Sequence, residues 1–594
     1  MDALRVANCS GFYGDRLSAA REMVEGGPID VLTGDYLAEL TMAILWRIRM
    51  KDPAAGYTPT FLTQMEQVLG TCLDRGIKVV ANAGGLNPSG LADRLREIAA
   101  RLGLAPSIAV VAGDDLMHRL EELAEQGEPI RHLETGEDFL AAGMPALTAN
   151  AYLGGWGIAA ALERGADVVV TGRVSDASLV VGPAAWRFGW DRDDWDALAG
   201  AVVAGHIIEC GAQCTGGNYS FFDEVPGLEH PGFPIAEVRG DGSSVITKHP
   251  GTGGLVSVGT VTAQLLYEIG PPRYLNPDVT ARFDTIRLTQ EGTDRVLVAG
   301  VRGEPPPPTT KVGINCMGGY RNSMTIVVPG LDVAAKAALA ERTLWEAVGG
   351  RDRFAETHVQ LVRSDKPDPA SNEEACAHLR ITVMDPDPAR VGRAFSGMVV
   401  EQALAGFPGF TLPGPPTGET PFAVFWPGMV RNEVVPQQVT IDGEHFEVAA
   451  TGGAPPGPDP EPPGLPPPPG GETVRVPLGR VLGARAGDKG GDANLGIWAR
   501  SDAGFAWLAA EIDEARLGEL LPEAAAVPLG RHLLPNLRAV NFVLRGFLGR
   551  GAAASAKPDP QAKTLGEYLR ARVADVPAAL VQEGAKAGEI APGS

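Results

Sequence analysis

The chain has 594 residues, 44% hydrophobic and 21% charged, an ordinary globular balance that excludes a disordered or collagen-like polymer. Fifty-one basic against 73 acidic side chains leave a net charge of −22, which repels phosphate backbones and anionic membranes and argues against a nucleic-acid or membrane partner. Six cysteines, Cys9, Cys72, Cys210, Cys214, Cys316 and Cys376, are too scattered for a disulfide framework, and no apolar run reaches spanning length. With no basic-then-apolar leader at the N-terminus, a cytoplasmic protein is expected.

The first 180 residues alternate short apolar runs with helical periodicity. Strands are predicted at 4–8, 30–33, 78–81, 108–112 and 167–171, and helices at 15–25, 36–48, 59–75, 89–103, 115–125 and 155–164. This alternation predicts an α/β fold with a mostly parallel sheet and helices on its faces, either doubly wound or closed into a barrel. From about residue 230 the body turns into a mixed α+β half, richer in β-branched residues and turn signals. Residues 454–471 hold ten prolines in eighteen positions and read as an extended spacer. Fully stretched it would span roughly 55 Å. The expected division is a body over 1–450 (parallel over 1–230, mixed over 231–450), a linker over 451–473 and a small α+β domain over 474–594. That last domain is predicted to hold strands near 474–486, 495–500 and 537–548, with helices at 505–521 and 561–580.

Chemistry is expected where the N-terminal strands end. In a parallel sheet these carboxyl ends share one edge, where ligands bind. The loops there carry Ser10-Gly11, Asp35, Gly84-Gly85 with Asn87, Asp114-Asp115, and Arg173 with Asp176. Glycine lets backbone amides approach a ligand, although each loop alone is equally a turn or a helix cap. A second feature, Lys248-His249-Pro250-Gly251-Thr252-Gly253-Gly254, places a base beside a lysine and an amide-rich turn. His249 is therefore the candidate general base, with Lys248, Thr252 and Gly253 on an anion. His206 and Glu209 form a candidate acid–base pair at a helix end, or a satisfied core histidine. Cys210 and Cys214 beside them are expected to be structural thiols rather than a zinc site. In the tail, Asp488-Lys489-Gly490-Gly491-Asp492 reads as a turn that can also meet an anion. No metal site is assigned; Mg²⁺ held by Asp35, Asp114, Asp115 and Asp176 depends on whether they converge. No GxGxxG, GxSxG, HExxH, Walker or paired CxxC motif is present, so nicotinamide, serine-hydrolase and zinc-peptidase chemistry lack support.

Four long stretches, NCSGFYGDRLSAAREMVEGGPIDVLTGDYLAELTM, GRVSDASLVVGPAAWRFGW, GHIIECGAQCTGG and ITKHPGTGGLVSVGTVTAQLLYEIGPPRYLNPDV, closely resemble the acyclic terpene utilisation (AtuA-type) family. RAGDKGGDANLGIWARSD resembles the small ferredoxin-like domain at the C-terminus of many members. The resemblance implies a place in the catabolism of terpenoid acids as acyl-CoA thioesters, and it carries no catalytic residues with it. The expected function is a hydro-lyase or C–C lyase acting on a branched or terpenoid acyl-CoA or carboxylate, with no redox cofactor firmly implied. In that reading His249 is the base, Asp35 and Asp176 are acid or orienting groups, Arg173 and Lys248 hold the anion, and Gly84-Gly85 amides form the oxyanion site. The alternatives are an accessory subunit that reaches a pathway enzyme through its flexible tail, and phosphate chemistry on the glycine-rich loops. A homo-oligomer is compatible with either main reading.

Overall fold

The computed structural model describes residues 3–461 and 464–588. Five short strands with near-continuous apolar sequence build the centre of the first compact unit: β1 (Leu4–Asn8), β2 (Val31–Gly34), β3 (Lys78–Ala81), β4 (Ile108–Ala112) and, after the strand β5 (Ala146–Ala151), β6 (Val168–Thr171). They pair in parallel in the order β1-β2-β3-β6-β4, with Val6 opposite Val31 and Ala109 opposite Val169. Strands buried on both faces need no polar alternation, which is why their sequences read as unbroken apolar runs.

β7 (Pro234–Val238) pairs antiparallel with β1, and β8 (Ser244–Lys248) with β7. Further antiparallel strands extend both sides to eleven strands in an open path, so the barrel alternative is excluded. Helices Ala19–Glu25, Pro59–Arg75 and Pro88–Arg101 pack Met23, Leu69 and Leu95 into the core on the sheet. Helix Trp195–Ile208 is buried from Leu198 to its end.

The five predicted N-terminal strands lie within one residue of those observed. β5 was not anticipated, and helix Leu120–Glu125 starts later than expected because Asp115 bridges to Asn150 of β5. The tail folds as a four-stranded antiparallel sheet in the order Leu482–Lys489, Asp492–Ala499, Ala539–Leu544, Leu529–Leu534, with its own apolar core. The helix expected over 561–580 is interrupted. Val573–Pro577 is a strand paired with Thr473–Pro477, since its alternating burial suits an edge ribbon better than a helix face.

The compact units do not follow the linear division. Residues 1–315, 425–552 and 561–594 group together, body and tail alike, while 316–424 with 553–560 form a second unit. In that second unit Glu356–Val362 and Cys376–Asp385 pair antiparallel, and helices Val333–Val348 and Arg393–Val400 close a core around Leu344, Ile381 and Phe395. The proline-rich segment carries no regular structure over its described residues, as expected of a spacer. It does not hold the tail at a distance. Ser220 Oγ donates to the Ala484 carbonyl at 2.9 Å and accepts from the Ala484 amide at 3.0 Å. Arg500 forks onto both Glu224 oxygens at 2.7 Å.

Candidate functional site

The loop after β2 places Asp35, 5% exposed, at the sheet edge. Two neighbours aim its carboxyl: Asn82, just after β3, donates to Asp35 Oδ1 at 2.5 Å, and the Leu37 amide donates to the same oxygen at 3.2 Å. Asn82 is itself oriented by the Tyr36 amide, which donates to its Oδ1 at 2.8 Å. After β6, Arg173 is buried. Its guanidinium donates to the Leu37 carbonyl and to Asp176 Oδ1, both at 2.9 Å, and lies 4.2 Å over the Tyr152 ring. Asp114, after β4, sets the Arg173 backbone by accepting its amide at 2.9 Å, and also accepts from Asn150 at 2.8 Å. Lys311 Nζ also lies over the Tyr152 ring, 4.8 Å from its centroid, and pairs with Glu39 at 2.8 Å.

Glu209 follows the buried helix Trp195–Ile208 and is 8% exposed. Gly11 allows this approach, because a Cβ there would lie 2.6 Å from the Cys210 carbonyl carbon. His206 Nδ1 stands 3.1 Å from Glu209 Oε1, although neither ring nitrogen finds a hydrogen bond of good geometry. Its ring packs on Tyr274 and Phe283. From helix Val258–Leu265 the chain runs on to Glu268, and the tail hairpin contributes Lys489, whose Nζ donates to the Glu268 carbonyl at 2.9 Å. Among the described residues Lys489 makes no ion pair within 4.0 Å.

These groups titrate abnormally. Burial, then the Asp176 charge, pushes the Asp35 and Glu209 carboxyls well above the usual range. Burial also raises Glu268, and burial with Glu268 brings Asp488 to about 7. Burial pushes His206 down to about 4, which keeps it neutral. Burial works against the Arg173 charge, but Asp176 and Tyr152 more than offset it and hold the guanidinium firmly ionised. Lys489 retains solvent exposure as a residue, yet protein packed round its ammonium desolvates it and, with Lys311, lowers its pKa. The result is a solvent-reached cluster in which acids biased towards their protonated forms sit beside the Arg173 cation, an arrangement suited to proton transfer next to a developing negative charge.

Of the predicted residues, the fold brings together Asp35, Arg173, Asp176, His206, Glu209, Asp488 and Lys489. The others serve elsewhere. His249 Nε2 donates to the Met23 carbonyl at 2.9 Å, with its ring packed against Gly26 and Gly27, so it is committed to fastening helix Ala19–Glu25. Lys248 pairs with Asp294 at 3.0 Å and donates to the Thr252 carbonyl at 2.8 Å. Thr252 Oγ1 donates to the His249 carbonyl at 2.7 Å, and Gly253 packs on the Gly227 backbone. The Gly84 amide is spent on the Thr171 carbonyl and that of Gly85 on the Asn82 carbonyl, so neither is an oxyanion donor. Asn87 caps helix Pro88–Arg101. Ser10 Oγ donates to the Phe12 carbonyl and the Gly11 amide to Asp15, which makes that loop a turn. The four acids weighed for Mg²⁺ do not gather: Asp114 faces Arg173 and Asn150, and Asp115 accepts from the exposed Met117 amide. Among the described residues no group of three His, Cys, Asp or Glu is arranged to hold a metal ion.

Sequence reasoning missed Asn82, Tyr152, Glu268, Tyr274 and Lys311. A lone acid closing the apolar helix of TVTAQLLYEIG was the available signal for Glu268, and a rare lysine inside a β-branched strand was that for Lys311.

Among the described residues no helix is long and apolar enough to cross a membrane. The family model described as acyclic terpene utilisation family protein AtuA matches residues 4–441, and that of the AtuA ferredoxin-like domain matches residues 476–574. No curated protein and no solved structure matches.

Proposed function

Given that this chain belongs to the acyclic terpene utilisation family AtuA, we propose that it is a catabolic enzyme acting on a branched or terpenoid acyl-CoA, or the related carboxylate, by hydro-lyase or C–C lyase chemistry. The observation that carries the reading is the set of acids with raised pKa, Asp35, Glu209 and Glu268, gathered with Arg173, Lys311 and Lys489 at the carboxyl ends of the parallel strands. Opposed environments for neighbouring acids assign acid and base. Asp176, ion-paired to Arg173 with its side chain 32% exposed, is the carboxylate that takes a proton from the carbon next to the thioester carbonyl. Glu209 or Asp35 is the acid that protonates the departing hydroxyl, which leaves as water. Lys489, the cation without an ion pair among the described residues, faces the charge that develops on the carbonyl oxygen. His249, fastened to Met23, has no part in these steps. The accessory-subunit reading loses its main support, since it needed a freely reaching tail and the tail is seated on the body.

The test is a thermal-shift panel with free CoA, short branched acyl-CoAs, terpenoid acyl-CoAs and ATP, each with and without Mg²⁺. A ligand at a hundred times its Kd stabilises the folded state by about 2.7 kcal/mol. A shift with a branched or terpenoid thioester, lost in Arg173→Met and Lys489→Ala, is the expected result. A flat response to every thioester would overturn the reading.

A further inference from the structure

The tail hairpin does more than bring Lys489. Its strands Leu482–Lys489 and Asp492–Ala499 lie against residues 266–270 of the body at unusually close range. An added Cβ at Gly487 would stand 2.4 Å from the Tyr267 ring and 3.2 Å from Glu268 Cγ, and one at Gly496 would stand 2.5 Å from Leu266 Cβ. Between these two glycines sits Asn494, fully buried. Its Oδ1 accepts the Glu268 amide at 2.8 Å, and its Nδ2 donates to the Leu266 carbonyl at 2.8 Å and to Asn541 Oδ1 at 2.7 Å. Asn541, also fully buried, donates to the Ile269 carbonyl at 3.2 Å and the Gly270 carbonyl at 2.9 Å. The clasped residue has φ +55°, a left-handed conformation that a glutamate does not take without support.

We propose that Asn494 and Asn541 are positioning residues of the reacting centre: the C-terminal domain clasps residues 266–270 so that the Glu268 carboxyl is held within the cluster at the strand ends. The inference rests on reading that cluster as the reacting centre. A domain needed only for mass or solubility would dock on side chains. This one docks on the backbone of the residue that carries an acid, with two buried amides whose donors and acceptors are matched to it. The same segment supplies the carbonyl that orients Lys489, so one clasp sets an acid and a cation together.

Glu268 faces the acids Asp176, Glu209 and Asp488, the cations Lys489 and Lys563, and the Tyr267 hydroxyl. Cys210, His206 and Tyr274 lie within its electrostatic reach. Dicyclohexylcarbodiimide, which modifies protonated carboxyls in apolar surroundings, reports on it directly. Full-length protein is labelled between pH 4 and 8 and the peptide carrying Glu268 is quantified by mass spectrometry. In the wild type, labelling persists above the ordinary glutamate range. In Asn494→Ala the midpoint falls by about one pH unit as the carboxyl turns towards water. A midpoint unchanged in Asn494→Ala, with only the melting temperature lowered, overturns the proposal, as does an ordinary midpoint in the wild type. If Asn494→Ala does not fold, Asn541→Ala decides by the same criterion, since it keeps the bond from the Glu268 amide to Asn494 and removes the anchors at Ile269 and Gly270 together with the acceptor for Asn494 Nδ2. A flat thioester panel leaves this result untouched, so the two readings fail separately.

Discussion

Asp278 illustrates how a buried acid becomes a pH-dependent fastening. It is 2% exposed, its Oδ2 accepts the Gly155 amide at 2.7 Å, and burial pushes its pKa from 3.8 to about 6. A carboxyl whose folded value is raised stabilises fully below its unfolded pKa, and that contribution is lost as pH rises through the folded value. Asp278→Asn keeps an acceptor for Gly155 without the charge. Its stability relative to wild type should therefore improve by about 2 kcal/mol between pH 4 and pH 6.5, read by urea unfolding at both pH values. Equal pH slopes for the two proteins would refute it. At Arg173 the logic inverts, because this cation is what makes two neighbouring carboxyls tolerable. Arg173→Met leaves Asp35 buried without it and should cost about 3 kcal/mol, whereas a surface pair such as Arg94–Glu97 should change stability by less than about 1 kcal/mol when broken.

Among elements, the decisive contacts are those only glycine permits. Gly11 lets the β1 loop lie on the Cys210 backbone, and Gly487 with Gly496 lets the tail hairpin lie on residues 266–268. Gly487→Ala and Gly496→Ala should each cost about 1–3 kcal/mol, since backbone or ring atoms must shift. Gly397, inside helix Arg393–Val400, has open space and no positive φ. Gly397→Ala should therefore stabilise by about 0.5–1 kcal/mol. Opposite signs for glycine-to-alanine changes in one protein, measured by thermal unfolding, separate contact from helix propensity.

For the whole molecule, the tail's seat on the body turns the proline-rich segment from a reach into a tether. Arg500 with Glu224, Ser220 with Ala484 and the Asn494–Asn541 clasp join body and tail without help from the linker. A protease site placed in residues 466–470 and cleaved should yield two fragments that elute together in size exclusion. Separation of the fragments at micromolar concentration would show that the seat depends on the covalent link.

Local periodicity made much of the fold legible. The apolar runs of β1 to β4 and β6, the helix Pro59–Arg75 and the Gly490-Gly491 turn all depend on interactions among near neighbours in sequence, and local pattern is enough to place them. Composition likewise determined the spacer, because ten prolines in eighteen positions cannot form a core. The loops after the strands were recognised as the edge where chemistry gathers, and Asp35, Arg173 and Asp176 lie there. What only tertiary structure decided is which distant residues meet. His249 and Glu268 are nineteen positions apart, and the sequence favoured the imidazole. Packing commits that imidazole to the Met23 carbonyl, and a hairpin more than two hundred residues downstream clasps Glu268 at the site. Desolvation and partner choice are properties of the assembled surroundings, and no local pattern encodes them.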